Sequence, residues 1–303
     1  MKDYSLHLVD NKLTIFLFHG VIPDNARYAV RNYNKKHIHE SYFRDIMKSL
    51  SNCGTAISIN DIVSGVYAKE GAKKPFIVSF DDGFRNNKTL AAPILQELNI
   101  PAVFYITTGF VEHNEMSWID KIEWLFENIE DEHRIQVSEK EILLIDKDPA
   151  SKIFALNSIR KHVKQSRRIN TRSYVNDIFQ QVGKSVISES CDVLDEKLSW
   201  DDVVSLNRND LFTIGGHTHS HAIMSYISDE ELQNEVDTSV SLLEKHIGVA
   251  PEHYSYPEGQ EEHYNEETIA VLKSRGIKCC PSAIEGVNTY PLDLFNLNRI
   301  MVL

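Results

Sequence analysis

Two runs, Ser79-Phe80-Asp81-Asp82-Gly83 and His217-Thr218-His219-Ser220-His221, offer chemistry through their residue types and spacing. Each closes an apolar, strand-like stretch, Phe76-Ile77-Val78 before the first and Leu211-Phe212-Thr213-Ile214 before the second. Open α/β sheets and barrels place their chemistry at the carboxyl ends of strands. Carboxylates and imidazoles arriving there describe a metal site with a spare base, and hence metal-assisted hydrolysis. His217 and His221 stand at i and i+4, so a helical turn starting there would put both on one face. Asp82 supplies a hard anionic third ligand. The adjacent side chains of Asp81 and Asp82 diverge, which suits one as ligand and the other as base. Alone, an Asp-Asp-Gly after a strand is an ordinary turn; the histidine run downstream gives it a site to belong to.

These runs need a scaffold. Residues 13–18 form a near-continuous apolar run ending at His19-Gly20, the pattern of a buried strand. A helix is predicted over 40–50, with Phe43, Ile46, Met47 and Leu50 on one face. A short strand over 56–59 follows, then a helix through Ala68 capped by Asn60-Asp61. Residues 76–80 and 102–106 read as strands flanking a helix over 86–98, in which Pro93 forces a late start or a bend. From 111 to 197 the alternation stops, and helices over 118–126, 150–162 and 171–182 read as an insertion over the mouth of the fold. Rhythm resumes with a helix start at Ser199 and a strand over 212–215. Ser228 and Glu231 make a capping box for a helix that stops at Gly248. Strands over 253–256 and 298–303 and a helix over 266–274 complete the chain. Strands alternating with helices favour one right-handed parallel βα barrel spanning 1–303, with no internal repeat or low-complexity tract.

At 303 residues, with 42% hydrophobic and 25% charged residues, the chain is an ordinary folded protein. Its net charge of −12 argues against a nucleic-acid partner. No stretch is long enough to span a bilayer, and the first residues lack a secretory pattern, so a cytoplasmic protein is expected. The cysteines Cys53, Cys191, Cys279 and Cys280 show no zinc-type spacing and read as reduced and buried. Against that acidic balance, 160–172 carries Arg160, Lys161, Lys164, Arg167, Arg168 and Arg172 without an acid. It is either a phosphate contact or a solvated helix face.

Together and in this order, the two motifs resemble motifs one and two of the polysaccharide deacetylases, the NodB-homology hydrolases of carbohydrate esterase family four. The resemblance covers most of the chain outside 111–197. It implies a distorted (β/α)7-type barrel, with Asp81 as catalytic base and Asp82, His217 and His221 binding a divalent metal. Zinc is expected first, with nickel, cobalt or manganese as alternatives. The implied reaction is removal of N-acetyl, less readily O-acetyl, groups from a sugar, glycan or nucleotide-sugar precursor.

Two departures from the family pattern change the expected roles. The third motif, usually Arg-x-Pro-[Tyr/Phe], reads Ser255-Tyr256-Pro257-Glu258 here. The orienting arginine is missing, although the backbone N–H of Glu258 can still serve an oxyanion. Tyr256 and Pro257 are candidates for substrate contact, as is Trp118, which competes with a helix-packing role. No histidine follows His263 to act as the usual general acid. The subgroup acting on poly-N-acetylglucosamine carries a first-strand Tyr-His pair instead, and Phe18-His19-Gly20 resembles it. His19 is thus the general-acid candidate, and Arg299 the candidate partner for Asp81. His219 is read as a histidine supporting the site or the fold. Two other functions compete: an amidohydrolase-type site using His217 and His219, and a degenerate barrel that only binds glycans.

Overall fold

The run that follows Asn11 is buried almost end to end: in β1 (Lys12–Phe18) only Lys12 escapes full burial. A strand covered on both faces needs apolar side chains at every position. The one polar insider, Thr14, donates its hydroxyl to the His7 carbonyl at 2.8 Å. The computed structural model describes residues 2–65, 73–167, 169–187, 189 and 192–303.

The remaining strands are β2 (Gly20–Ile22), β3 (His37–His39), β4 (Thr55–Ala56), β5 (Pro75–Phe80), β6 (Ala102–Ile106), β7 (His133–Ser138), β8 (Glu141–Ile145), β9 (Phe212–Gly216), β10 (Pro281–Glu285), β11 (Asn288–Thr289) and β12 (Leu297–Met301). The main sheet runs β10-β12-β1-β5-β6-β9, parallel throughout. β1 lies at its centre with β5 on one side and β12 on the other. The carboxyl ends of β1, β5, β9 and β12 therefore face one region. The segment 253–256 runs between the sheet edges β9 and β10, with single parallel bridges of Gly216 with Tyr254 and His253 with Cys279 and a bond from the Tyr256 N–H to the Pro281 carbonyl. The strand expected over 253–256 is reduced to these bridges. Gly216 leaves room for the Tyr254 ring, which a Cβ would meet at 2.2 Å.

The α-helices are α1 (Glu40–Cys53), α2 (Ile59–Ser64), α3 (Ala92–Glu97), α4 (Thr108–His113), α5 (Trp118–Glu127), α6 (Pro149–Gln165), α7 (Thr171–Gln181), α8 (Trp200–Asn207), α9 (Asp229–Ile247) and α10 (Glu266–Ser274). α1 buries the expected face of Phe43, Ile46, Met47 and Leu50. The capping boxes at Ser199 and Ser228 form, and Gly248 closes α9 in the left-handed region. Two local expectations are corrected. Ser58, not Asn60-Asp61, caps α2, because its side chain and Asp61 make the reciprocal capping box; the expected end at Ala68 lies outside the described residues. β4 is only a two-residue strand, since Ser58 must leave the sheet to cap that helix. The helix over 86–98 starts late, as Pro93 requires: a π-turn (Asn87–Ala91) precedes α3, whose first turn accommodates the proline.

The 111–197 segment is not helical alone. β7 and β8 form an antiparallel hairpin that buries Ile135, Val137 and Ile145 and exposes Ile142 and Leu144. With α5, α6 and α7 it builds a separate core around Ile122, Phe126, Leu156, Ile159, Ile178 and Phe179. Of the cysteines, Cys279 and Cys280 are buried free thiols. Cys53 is exposed at the end of α1, contrary to expectation, and Cys191 lies outside the described residues. Among the described residues no helix is long and apolar enough to cross a membrane.

β2 and β3, unforeseen from the sequence, pair in parallel directly after His19. The pairing depends on Gly20, where a Cβ would lie 2.1 Å from His37 Nδ1 and 2.7 Å from Asn86 Oδ1. The buried His37 ring cannot retreat. It packs edge-on against Phe84 at 4.5 Å and lies 3.0 Å from the Asn86 amide. Gly20→Ala should destabilise the fold by about 1–3 kcal/mol through overpacking, read as a lowered denaturant midpoint at unchanged m-value.

Candidate active site

The chain leaves β5 by continuing its ladder for one residue, the Asp81 N–H donating to the Phe18 carbonyl at 3.1 Å. Asp82 and Gly83 then both take positive φ, 73° and 77°. That sharp turn sends the two carboxylates in different directions, as their adjacency suggests. Asp81 meets the guanidinium of Arg299, from the middle of β12, through two 2.8 Å bonds, Nη1 to Oδ1 and Nη2 to Oδ2. Arg299 has no exposed side-chain surface and also donates through Nε to the Ser282 carbonyl. Burial alone would raise the Asp81 carboxyl, but Arg299, with His217 next, holds it below the usual carboxylate range. Ser255, where the family pattern has its arginine, lies with its hydroxyl 3.4 Å from Asp81 and 2.7 Å from His217 Nδ1.

Asp82 faces a different set. Its Oδ2 accepts from the Lys36 ammonium at 2.7 Å. Its buried Oδ1 has no hydrogen-bond partner, although Nε2 of His217 and His221 face it at 3.5 and 3.2 Å. Burial again works against the charge, but Lys36 and then His221 hold the carboxyl well below its ordinary value. His217 Nδ1 lies 2.8 Å from the Ser255 carbonyl. A carbonyl can only accept, so this contact favours the proton on Nδ1, the tautomer that turns the Nε2 lone pair toward Asp82.

The His217–His221 run makes no helical turn, contrary to the expectation from spacing. Thr218 and His221 take positive φ, 61° and 62°, and curl the loop. Glu235 of α9 holds it by accepting the His219 and Ser220 N–H groups at 2.9 and 2.8 Å. The His221 ring stacks on Phe110. His219 turns away, its Nδ1 3.0 Å from the Thr108 hydroxyl. Among the described residues Asp82, His217 and His221 form a possible ligand group, with one donor atom from each within 4.8 Å of the others. His219, the second histidine of the amidohydrolase alternative, is not part of that group.

A cavity of about 180 Å³ opens on these groups, lined by His19, Lys36, Asp81, Asp82, His217 and His221. His19 is partly buried, with its Nδ1 shielded from solvent and unpartnered; burial, then Lys36, lowers its pKa to about 4. Glu258 borders the cavity at a φ of 61° and pairs with Lys164 of α6 at 2.5 Å. Burial would raise its carboxyl, yet Lys164 and then His221 bring it down to about 2. Trp118, the first residue of α5, lines this cavity and a neighbouring one of about 490 Å³. Tyr256 touches the cavity with part of a ring otherwise spent on the core. It stacks on Tyr264 at 4.0 Å and donates its hydroxyl to the Phe295 carbonyl. Pro257 is buried and does not line the cavity.

The basic stretch divides: Lys161, Arg167 and Arg172 are exposed, as a solvated face requires, while Arg160 and Lys164 turn inward to acids. Arg160 pairs with the buried Glu123, Lys164 with Glu258, and Arg167 lies over the Tyr226 ring; Arg168 lies outside the described residues. Lys36 had no signal in the sequence, because nothing in the polar 32–36 segment marks a strand to come.

A parallel α/β sheet with an ion-paired aspartate beside an Asp/His/His cluster at its strand ends defines the hydrolase class. The polysaccharide deacetylase family profile matches residues 68–280, and the chain belongs to that family, whose members are carbohydrate deacetylases. Solved structures share the fold. The Streptococcus pyogenes deacetylase PplD, in complex with acetate, is 16% identical, with 97% of this chain and 94% of that one covered and a TM-score of 0.59. IcaB from Ammonifex degensii is 15% identical, with 98% and 94% covered and a TM-score of 0.60. A de-N-acetylase from Aggregatibacter actinomycetemcomitans is 15% identical, with 96% and 95% covered and a TM-score of 0.61. No match is found among curated protein sequences.

Proposed function

We propose that the protein removes N-acetyl groups from a glycan or glycan precursor by hydrolysis assisted by a divalent cation held by Asp82, His217 and His221. One observation carries this: a buried, unpartnered carboxylate oxygen faces two imidazole nitrogens beside an aspartate that an arginine keeps ionised. One carboxylate oxygen and two imidazoles form a donor set suited to zinc or a similar divalent ion. Such an ion supplies a Lewis acid that polarises the acetyl carbonyl and makes water easier to deprotonate.

The chain's own groups do the rest. Asp81, ionised and outside the ligand group, takes the proton of the attacking water. The Glu258 N–H is the backbone donor to the developing oxyanion. His19, neutral at physiological pH, passes to the departing amine the proton that Asp81 has taken from the water, rather than storing one. Trp118, Arg160 and Lys164 of the 111–197 segment complete the cavity wall and restrict what enters. N-acetyl rather than O-acetyl is favoured because an amine leaving group needs a proton, and an unpartnered imidazole at the cavity can deliver it. The de-N-acetylase of like fold accords with that choice.

The test is acetate release from N-acetylglucosamine oligomers and nucleotide sugars, before and after chelation. Chelation should abolish release, and added zinc or cobalt should restore it. Release that persists undiminished in the chelated, metal-free protein would overturn the cation-assisted route.

A further inference from the structure

We propose that Lys36 is a positioning residue that sets the charge of the cation site: it clamps Oδ2 of Asp82, leaves Oδ1 as the donor to the ion, and trades cation affinity for electrophilicity. This rests on the cation-assisted reading above and adds to it a residue that neither the motifs nor the family match assigns.

The clamp is a built feature. The Lys36 ammonium lies 2.7 Å from Asp82 Oδ2 and 4.9 Å from the centre of the Phe84 ring, with 18% of its side chain exposed. The backbone that carries it is pinned on both sides. The Asn34 side chain accepts the Lys36 N–H at 3.2 Å. Asn32 brackets His37 with two 2.8 Å bonds, one from its amide to the His37 carbonyl and one from the His37 N–H. His37 then enters the ladder with Gly20. The strand pair that begins one residue after His19 thus also delivers Lys36 to the metal ligand.

The two Asp82 oxygens consequently have unlike surroundings, a cation on Oδ2 and only imidazole nitrogens facing Oδ1. A carboxylate that already accepts a charge-assisted hydrogen bond has less electron density to give. An ion bound to it is held less tightly and pulls harder on a carbonyl oxygen. Two effects oppose each other when Lys36 is removed. Losing an outer-shell hydrogen bond ordinarily weakens metal binding about 10–100-fold. Removing a positive charge a few ångströms from a dication strengthens it, and in a buried site that repulsion is the larger effect.

The experiment is a competition titration of zinc between a chromophoric chelator and the full chain, for wild type, Lys36→Met and Lys36→Arg, followed by acetate release at saturating zinc. Lys36→Met should bind zinc at least about ten-fold tighter yet turn over at least about ten-fold more slowly. Lys36→Arg, which keeps charge and donor, should return both toward wild type. A merely structural lysine would move both quantities downward. Equal or weaker zinc binding by Lys36→Met, with acetate still released, overturns the proposal and leaves the deacetylase reading standing. Tighter binding with unchanged turnover also overturns it, since Lys36 would then only fill the site in the ion's absence. Tighter binding by a pair of proteins that release acetate from no glycan upholds the role of Lys36 at the ion and overturns the deacetylase reading instead.

Discussion

Asp81→Asn should lower acetate release by about 10²–10⁴-fold, the usual contribution of a positioned general base, while the protein still binds its cation. The separation follows from geometry. Asp81 and Asp82 are neighbours in sequence, but the positive φ of Asp82 sends them to different partners, Arg299 for the first and Lys36, His217 and His221 for the second. An amide at 81 keeps an oxygen for Arg299 and loses the ability to take a proton. Zinc titration and acetate release, run on the same variant, read the two functions independently. Equal loss of both would mean that Asp81 belongs to the ligand set. Full turnover by the variant would end its role as base. His221→Ala and His219→Ala give the complementary contrast: cation binding should collapse in the first and persist in the second, because His221 faces Asp82 whereas His219 turns to Thr108.

The strands that carry this chemistry were legible because burial on both faces leaves a strong trace. The runs before His19, Asp81 and His217 are apolar almost without interruption, and all three form parallel strands. The ligand set followed from chemistry and spacing together, although the i, i+4 spacing pointed to a helical turn that does not form. Positive φ at Thr218 and His221 reaches the same juxtaposition by a loop, and no residue type at those positions signals it. Arg299 was legible only as a residue near a strand end. Its contact with Asp81 comes from the parallel order β12-β1-β5, which puts Arg299, in the middle of β12, one strand away from β5 and within its long side chain's reach of the residue that follows β5. The β7–β8 hairpin and the β2–β3 pair left little trace, since strands of three to six residues with polar neighbours resemble loops. With β2–β3 unseen, Lys36 had no reason to be placed near Asp82.

Arg299→Met should cost about 3–5 kcal/mol of stability, the usual penalty for leaving one member of a buried ion pair without its partner. Both groups are buried, so water cannot replace the lost guanidinium. The pH dependence fixes the sign. In the native protein the Asp81 carboxyl lies below its ordinary value, so its contribution to stability is fully present above that value and is lost as pH falls through the depressed one. Without Arg299 the largest remaining influence is burial, which raises the carboxyl. Asp81 then takes up its proton at higher pH, and the acid limb of the kcat/KM profile moves up with it. The double variant Asp81→Asn/Arg299→Met should recover much of the lost stability, because neither buried charge remains, and none of the activity. A double-mutant cycle in urea together with the pH profile measures both parts. Additive losses in stability, or an acid limb unmoved in Arg299→Met, would show that the arginine neither holds nor ionises the base. Recovery of stability without recovery of turnover would assign to this pair a charged base kept in a buried place, at a free-energy cost that an apolar pair would not carry.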